Sequence, residues 1–301
     1  MAELVADATS VMHIGKRDRQ EDAVIADFAE GSIVGLAVLS DGMGGHEDGD
    51  AASRIIASKM FSEMFFAVSQ PDVLEDDPET LFRAAMDLAN CELKGHAKAG
   101  HVGEESGGTL VSVALTKDRL RWISVGDSPL YIYRDRRLHR LNEDHSMAPQ
   151  IDRMAREGQM DAETAAAHPM RNVLTSALTG KDIPRIDCPG TAVRLKAQDI
   201  VVLASDGINT LSDARIKSLI RRHRHKDPKR IGQLLMAAVA RADQPDQDNT
   251  SIVVIKMKDQ GQDQPAAMSA IGKEIAAIVD EQAELFVSAL RRFLRLGAGS
   301  V

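Results

Sequence analysis

Ser40-Asp41-Gly42-Met43-Gly44-Gly45-His46 is the stretch on which the reading of this chain turns. It follows a nearly continuous apolar run, Ile33 to Leu39, which predicts a buried strand. A carboxylate at the end of that strand, followed by three glycines in four positions, lets the backbone come close to whatever Asp41 holds. Carboxylate and carbonyl oxygens around a small space are how hard divalent cations are gripped. One such motif by itself is better read as an Asp-Gly turn. The chain, however, repeats the device: Ile200-Val201-Val202-Leu203-Ala204-Ser205-Asp206-Gly207 again runs strand, Ser, Asp, Gly.

At 301 residues the chain can bury one large core or split into two domains. Hydrophobic residues make up 44% and charged residues 27%, ordinary values for a globular enzyme. Aromatics are only 3%, so aliphatic side chains and 13 Met must do most of the packing. A net charge of −8 argues against a nucleic-acid groove and leaves carboxylates to spare as cation ligands. The basic run Arg221 to Lys226 reads as a solvated helix end. Residues 1–17 carry no signal-peptide pattern, and no uncharged apolar run reaches the length of a membrane span. Cys91 and Cys188 fit no metal or redox spacing; they read as reduced core thiols of a cytoplasmic protein.

Periodicity predicts helices over 51–68, 79–99, 212–224 and 228–242, with short surface helices over 147–157 and 161–167. Strands are predicted over 33–39, 109–115, 121–125, 130–134, 138–141, 200–204 and 251–257. Runs of strands with helix pairs between them imply an α+β, sheet-rich fold in one domain over 1–258. A polar linker, 259–268, separates an amphipathic helix expected over 269–297. Its apolar stripe, Ile271, Ile275, Ile278, Leu285 and Ala289, suits packing back on the domain, self-association or docking to a partner.

Acidic positions recur at predicted strand edges and turns: Glu21-Asp22, Asp41-Gly42, Asp206-Gly207 and Asp248-Asn249. Carboxylates without Cys or paired His favour Mg²⁺ or Mn²⁺ over Zn²⁺. Two such ions about 4 Å apart would activate a water and shield a phosphate's charge. Taken singly, each of these sites is better explained by a turn than by a metal ligand.

The motifs in order are Arg17-x-x-x-Glu21-Asp22-Ala23, Asp41-Gly42-Met43-Gly44-Gly45-His46, Ser106-Gly107-Gly108-Thr109 and Val125-Gly126-Asp127-Ser128. Glu143-Asp144-His145-Ser146, Arg171 to Leu178, Ser205-Asp206-Gly207 and Asp248-Asn249-Thr250 complete the series. With these motifs, across roughly residues 12–256, the chain resembles the metal-dependent Ser/Thr protein phosphatases, the PPM or type 2C family, in its bacterial form. The resemblance implies a sandwich of two antiparallel sheets flanked by helices on both sides (αββα), with metals at one end. It implies that Asp41 bridges two catalytic Mn²⁺ or Mg²⁺ ions. Asp22 and the Gly42 carbonyl would serve one ion, Asp206 and Asp248 the other. Asp127, with Asp206, matches the site of a third ion in bacterial members. Glu21 and Asn249 would stand behind the ligands, and Arg17 would grip phosphate with its forked guanidinium. The segment 144–168 matches a flap beside the active site. The implied activity is hydrolysis of phosphoserine and phosphothreonine in proteins, opposing a Ser/Thr kinase. A non-catalytic phosphoprotein-binding module and an enzyme for a small phosphoester are the alternatives.

The chain departs from the family pattern at several points. Met43 stands where eukaryotic members carry a His proposed as general acid, and the role of His46 is open between helix capping, packing and proton transfer. Pro129 replaces the usual Arg after Gly-Asp-Ser, removing a charge and a backbone donor beside the third-ion position. Ser106 to Thr109 is read as a packing position.

Overall fold

The computed structural model describes residues 4–29, 32–44 and 48–259. The chain runs β1 (Leu4–His13), β2 (Asp22–Asp27), β3 (Val34–Met43), α1 (Gly49–Ser69), α2 (Pro71–Asp76), α3 (Pro78–Lys98) and β4 (Gly107–Gly108). It continues with β5 (Leu110–Thr116), β6 (Arg119–Val125), β7 (Leu130–Arg134), β8 (Arg137–Arg140), α4 (Ala148–Arg156), α5 (Ala162–Ala166) and β9 (Val193–Arg194). β10 (Ile200–Ala204), a 3₁₀ turn (Asp206–Thr210), α6 (Asp213–His223), α7 (Pro228–Ala242) and β11 (Thr250–Asp259) complete it.

Two antiparallel sheets face each other, one in the order β1-β11-β10-β7-β8, the other β2-β3-β5-β6-β9 with β4 beside β3. Strand alternation explains the layers. In β10, Val201 and Leu203 point between the sheets, while Ile200, Val202 and Ala204 meet α6 and α7. In β3, Ala37 joins the inter-sheet core and Leu36 and Val38 meet α1 and α3. Both faces of these strands are buried, which is why they read as continuous apolar runs rather than alternating ones. The result is an αββα sandwich with three stacked cores, as the resemblance implied. Burying a Leu or Ile fully contributes about 1.5–3 kcal/mol, and many in these cores are fully buried.

Helix starts follow their caps. Asp227 accepts from the Arg230 N–H at 2.7 Å ahead of Pro228, and Asp77 accepts from the Thr80 N–H at 3.2 Å ahead of Pro78. Away from the carboxylate end, Glu75 of α2 clamps Arg121 through two bonds, 3.0 and 2.9 Å, and also pairs with Arg119. This fastens the helical layer to β6.

The structure corrects several expectations. β3 does not end before Asp41 but runs on through Met43, so Asp41 sits within a paired strand. β1 and β2 were not predicted, and neither was α2. Cys188 is buried as expected, but Cys91 is exposed on α3 rather than a core thiol. Residues 260–301, with most of the expected linker and the amphipathic helix, lie outside the described residues. So does His46. No helix among the described residues is long and apolar enough to cross a membrane.

Candidate metal centre

The inward parity of each strand continues past the last apolar residue into polar ones, and these floor the site. After Val113 and Val111 comes Thr109; after Ile132 and Leu130 comes Ser128; after Val201 and Leu203 comes Ser205; before Val253 stands Ser251. Asp22 and Asp41 face each other across the β2–β3 register on the same parity. The apolar core is therefore capped at one end by hydroxyls and carboxylates.

These groups bond to one another. Ser205 Oγ donates to Asp22 Oδ2 at 2.7 Å and accepts from the Ser251 N–H at 2.9 Å. Thr109 Oγ1 accepts from the Asp41 N–H at 3.0 Å and pairs with Ser128 Oγ at 2.8 Å. Thr109 is thus a support beneath Asp41, not only the packing position expected. The other oxygens of Asp22 and Asp206, Oδ1 in each case, are buried without a hydrogen-bond partner.

Above this floor lies a groove of about 730 Å³ lined by Arg17, Glu21, Asp41, Gly42, Asp127, Asp206, Asp248 and Asn249. Its far wall is the segment Asn172 to Ala177. Asp22 sits beneath the groove, close enough to Asp41 to raise its pKa. Of the positions expected to hold metal, Asp41, Gly42, Asp127, Asp206 and Asp248 line the groove, and Asp22 lies beside Asp41 across the β2–β3 register, outside that lining.

The carboxylates resist ionising together. Burial, then the charges of Asp206, Asp22, Asp127 and Asp248, hold the Asp41 carboxyl well above the ordinary range. Burial lifts Asp22 to about 6, with the hydroxyls of Ser251 and Ser205 opposing the rise. Asp206 is lifted to about 6 by burial and by Asp248, and Asp127 to about 7 by burial, Asp206 and Asp144. Divalent cations would relieve this repulsion. The donor set is all oxygen, two buried carboxylate oxygens are orphaned, and so the residues present fit hard ions such as Mn²⁺ or Mg²⁺. Among the described residues no three acidic, His or Cys groups close round one point as a single-ion cage.

Glycines permit the approach of the loops. A Cβ on Gly42 would lie 2.0 Å from the Gly49 carbonyl oxygen and 2.6 Å from that of Glu21. Gly15, at φ +68°, brings the loop after β1 against the backbone of Asp248, where a Cβ would stand 2.3 Å from its oxygen. Asn249 fixes the same loop: Oδ1 accepts from the Glu21 N–H at 2.6 Å, and Nδ2 donates to the carbonyls of Ile14 and Arg19 at 2.8 and 2.9 Å. Arg17 is thereby presented at the groove's lip.

Sequence reasoning missed the hydroxyl layer, although extending each strand's alternation by one step would have pointed to it. It also missed Arg140. That guanidinium donates to the Asp127 carbonyl at 2.7 Å and to Asp144 at 2.9 Å, placing a cation beside the corner that Pro129 leaves without one.

Fold and site together define an αββα enzyme of the metal-dependent phosphoester hydrolase class. The chain belongs to the protein phosphatase 2C family, whose model matches residues 10–240. It is 27% identical over 190 residues to the serine/threonine phosphatase stp of Listeria welshimeri, covering 63% of this chain and 73% of that protein. It is 28% identical over 263 residues to the serine/threonine protein phosphatase PstP of Mycobacterium tuberculosis, covering 85% of this chain and 46% of that longer protein. The crystal structure of a PstP catalytic domain in complex with two manganese ions superposes with a TM-score of 0.68 at 25% identity, covering 85% of this chain and all of that one.

Proposed function

We propose that this protein hydrolyses phosphoserine and phosphothreonine in phosphorylated proteins and so reverses the work of a Ser/Thr kinase. The observation that carries this reading is the convergence of Asp41, Asp127, Asp206 and Asp248 on one groove, with Asp22 beneath and Arg17 at its lip. What bound Mn²⁺ or Mg²⁺ supplies is neutralisation of phosphate charge and activation of water for attack at phosphorus. The chain's own residues do the rest. In this reading Asp22, Asp41, the Gly42 carbonyl, Asp206 and Asp248 would hold the two ions between them, with Asp41 serving both. Asp127 would serve a third ion. Glu21 and Asn249 hold the Arg17 loop in register with Asp248, and Arg17 orients the phosphate through two N–H donors. The Ser205 hydroxyl keeps the Asp22 carboxylate from turning away, and the Thr109 hydroxyl, backed by Ser128, holds the backbone of Asp41.

A binding-only module would have no need of so many carboxylates forced together against their own repulsion. The groove opens along an exposed wall at Asn172 and Val173, which suits an extended phosphopeptide better than an enclosed small molecule. The two cysteines are both free, in keeping with a reducing cytoplasm. The deciding assay is release of phosphate from p-nitrophenyl phosphate and from phosphothreonine peptides, with Mn²⁺ and with excess EDTA. Metal-independent turnover, or none on either substrate, would overturn the proposal.

A further inference from the structure

The basic run around the α6–α7 turn takes no part in the chemistry described above. Eight Lys and Arg stand between residues 215 and 230, all of them exposed, in a chain whose net charge is −8. The stretch holds one carboxylate, Asp227, which is engaged in capping α7. None of the eight cations forms an ion pair among the described residues. Arg224 and Arg230 donate instead to neutral acceptors, the Arg221 carbonyl and the Gln233 side chain.

Helix dipoles explain only part of this run. Arg221, Arg222 and His223 close α6, where cations are favoured. Lys229 and Arg230 open α7, where the positive end of the helix opposes them and the first turn has no acidic residue. Burial, then the charges of Arg222, His225, Arg230 and Lys226, hold the His223 imidazole below its ordinary range, so the local field is positive.

The position of the turn decides what lies within reach. α6 starts just beyond the 3₁₀ turn that carries Asp206 and leads away from the metal end. At the α6–α7 turn, Lys256 Nζ of β11 donates to the Lys226 carbonyl at 2.7 Å. Lys256 pairs in the sheet with Ile200, the residue of β10 farthest from Ser205 and the carboxylate floor. The cationic turn therefore sits at the end of the sandwich opposite the groove. β11 ends at Asp259, and the chain continues from there as residues 260–301. From Lys256 to Asp259 a strand spans about 10 Å, so this continuation starts beside the turn. Its sequence over 260–284 holds Asp263, Glu274, Asp280, Glu281 and Glu284 against Lys273 alone.

We propose that the α6–α7 turn is a docking surface for the acidic part of this chain's own C-terminal segment, residues 260–284. Opposite charge supplies the attraction, and the covalent tether supplies a local concentration that a free anionic partner lacks. Because the turn is remote from the groove, the docked segment leaves the site open to substrate.

The test uses the full chain and a zero-length carbodiimide, which joins a Lys amine to a carboxylate only where the two already meet. Peptide mapping should find links from Lys217, Lys226 or Lys229 to carboxylates within 263–284. In about 1 M salt, where charges act over only about 3 Å, their yield should fall about tenfold. Two reversals, Arg221→Glu/Arg222→Glu/Arg224→Glu and Asp280→Lys/Glu281→Lys/Glu284→Lys, should each cut the yield in the same way. Combined, they exchange the charges, and links should form between the new Lys and Glu residues. Hydrolysis of p-nitrophenyl phosphate, followed throughout, reports that each variant is folded. Should a variant fail to fold, the wild-type links and their salt dependence decide alone. A wild type without such links overturns the proposal, as do links that survive both reversals. Links joining an isotope-labelled copy to an unlabelled one would make the occupant a second copy and overturn it too. So would binding of the wild type to phosphatidylserine vesicles or heparin through the same arginines in the absence of internal links.

Discussion

Arg17 Nη2 donates to Asp248 Oδ2 at 2.7 Å, joining two residues that stand 231 positions apart in the chain. Arg17 is assigned to the phosphate and Asp248 to a cation, so each is paired with the other where its own ligand would go. The two side chains are 51% and 39% exposed, and an ion pair so open to water is worth about 0–1 kcal/mol. A divalent cation on Asp248 and a phosphate dianion on Arg17 can replace it at little cost.

Removal of that guanidinium should therefore weaken substrate binding more than it slows chemistry. Arg17→Ala is expected to raise KM for a phosphopeptide about tenfold, with kcat reduced less, because the phosphate is already dianionic in the ground state. Steady-state kinetics check this. An unchanged KM with a collapsed kcat would place the arginine's contribution in the transition state.

Asp41→Asn and Asp206→Asn should each reduce turnover by about a thousandfold or more, since a lost anionic oxygen at shared positions weakens both ions. The accompanying measurement is Mn²⁺ stoichiometry on the purified variants. Wild-type rates in excess EDTA would contradict the scheme.

For Asp127→Ala, two Mn²⁺ ions should still bind tightly, while kcat on phosphopeptides drops about tenfold or more. Its carboxyl is the groove's ligand candidate on the β6–β7 corner, away from the β2–β3 register that carries Asp22 and Asp41. Metal titration and kinetics indistinguishable from wild type would make it a turn residue.

Stability of the metal-stripped protein should fall as pH rises. Asp22 and Asp206 titrate near 6 and Asp127 near 7 in the folded protein, above their ordinary value of 3.8, mainly because burial opposes their charge. The folded state thus keeps protons that the unfolded chain has released. Their stabilising effect is complete below about pH 3.8 and is lost as pH climbs through 6 to 7. The salt-bridged Glu75 and Asp152 have lowered pKa values and act only at more acidic pH. Thermal scans in EDTA should show Tm declining from pH 5 to 8, by about 2–4 °C for each kcal/mol lost. Added Mn²⁺ should stabilise increasingly over the same interval, because it needs the ionised ligands. A Tm in EDTA that is flat or rising would refute the assignment.

Deletion of residues 262–301 should leave hydrolysis of p-nitrophenyl phosphate within about twofold of the full chain, because every proposed ligand and the whole of β11 precede the cut. Chromatographic size measured alongside separates the roles considered for the tail. A smaller oligomer with full activity favours assembly, and insoluble protein favours packing back on the domain.

Much of this protein was legible locally. β10 matches its expected span, Ile200–Ala204, because a strand buried on both faces must be apolar throughout and ends where Ser-Asp-Gly begins. α7 matches as well, since Asp227-Pro228 is a cap and first-turn pair that needs no tertiary help. Carboxylates at strand edges and turns read singly as turns; it was the order of the motifs that carried the family resemblance and, with it, the expected cation site. β1 and β2 were hidden. Their sequences, LVADATSVMH and DAVIAD, mix polar and apolar residues because both are edge strands, half exposed and paired on one side only.

What the sequence by itself determined was the inventory: which strands are buried, which helices start where, and which residue types are available to hold a cation. Only the tertiary structure decided the proximities. The pleat carries Thr109, Ser128, Ser205 and Ser251 to the same end of the core from four different strands, and nothing in their spacing along the chain encodes that meeting. Asp248 reaches Arg17, and His145 reaches Gly126 and Thr175, because antiparallel strands and tight glycine turns return distant segments to one edge. Local propensity acts over a few residues, whereas a site of mutually repelling carboxylates exists only where the whole sandwich is folded enough to press them together.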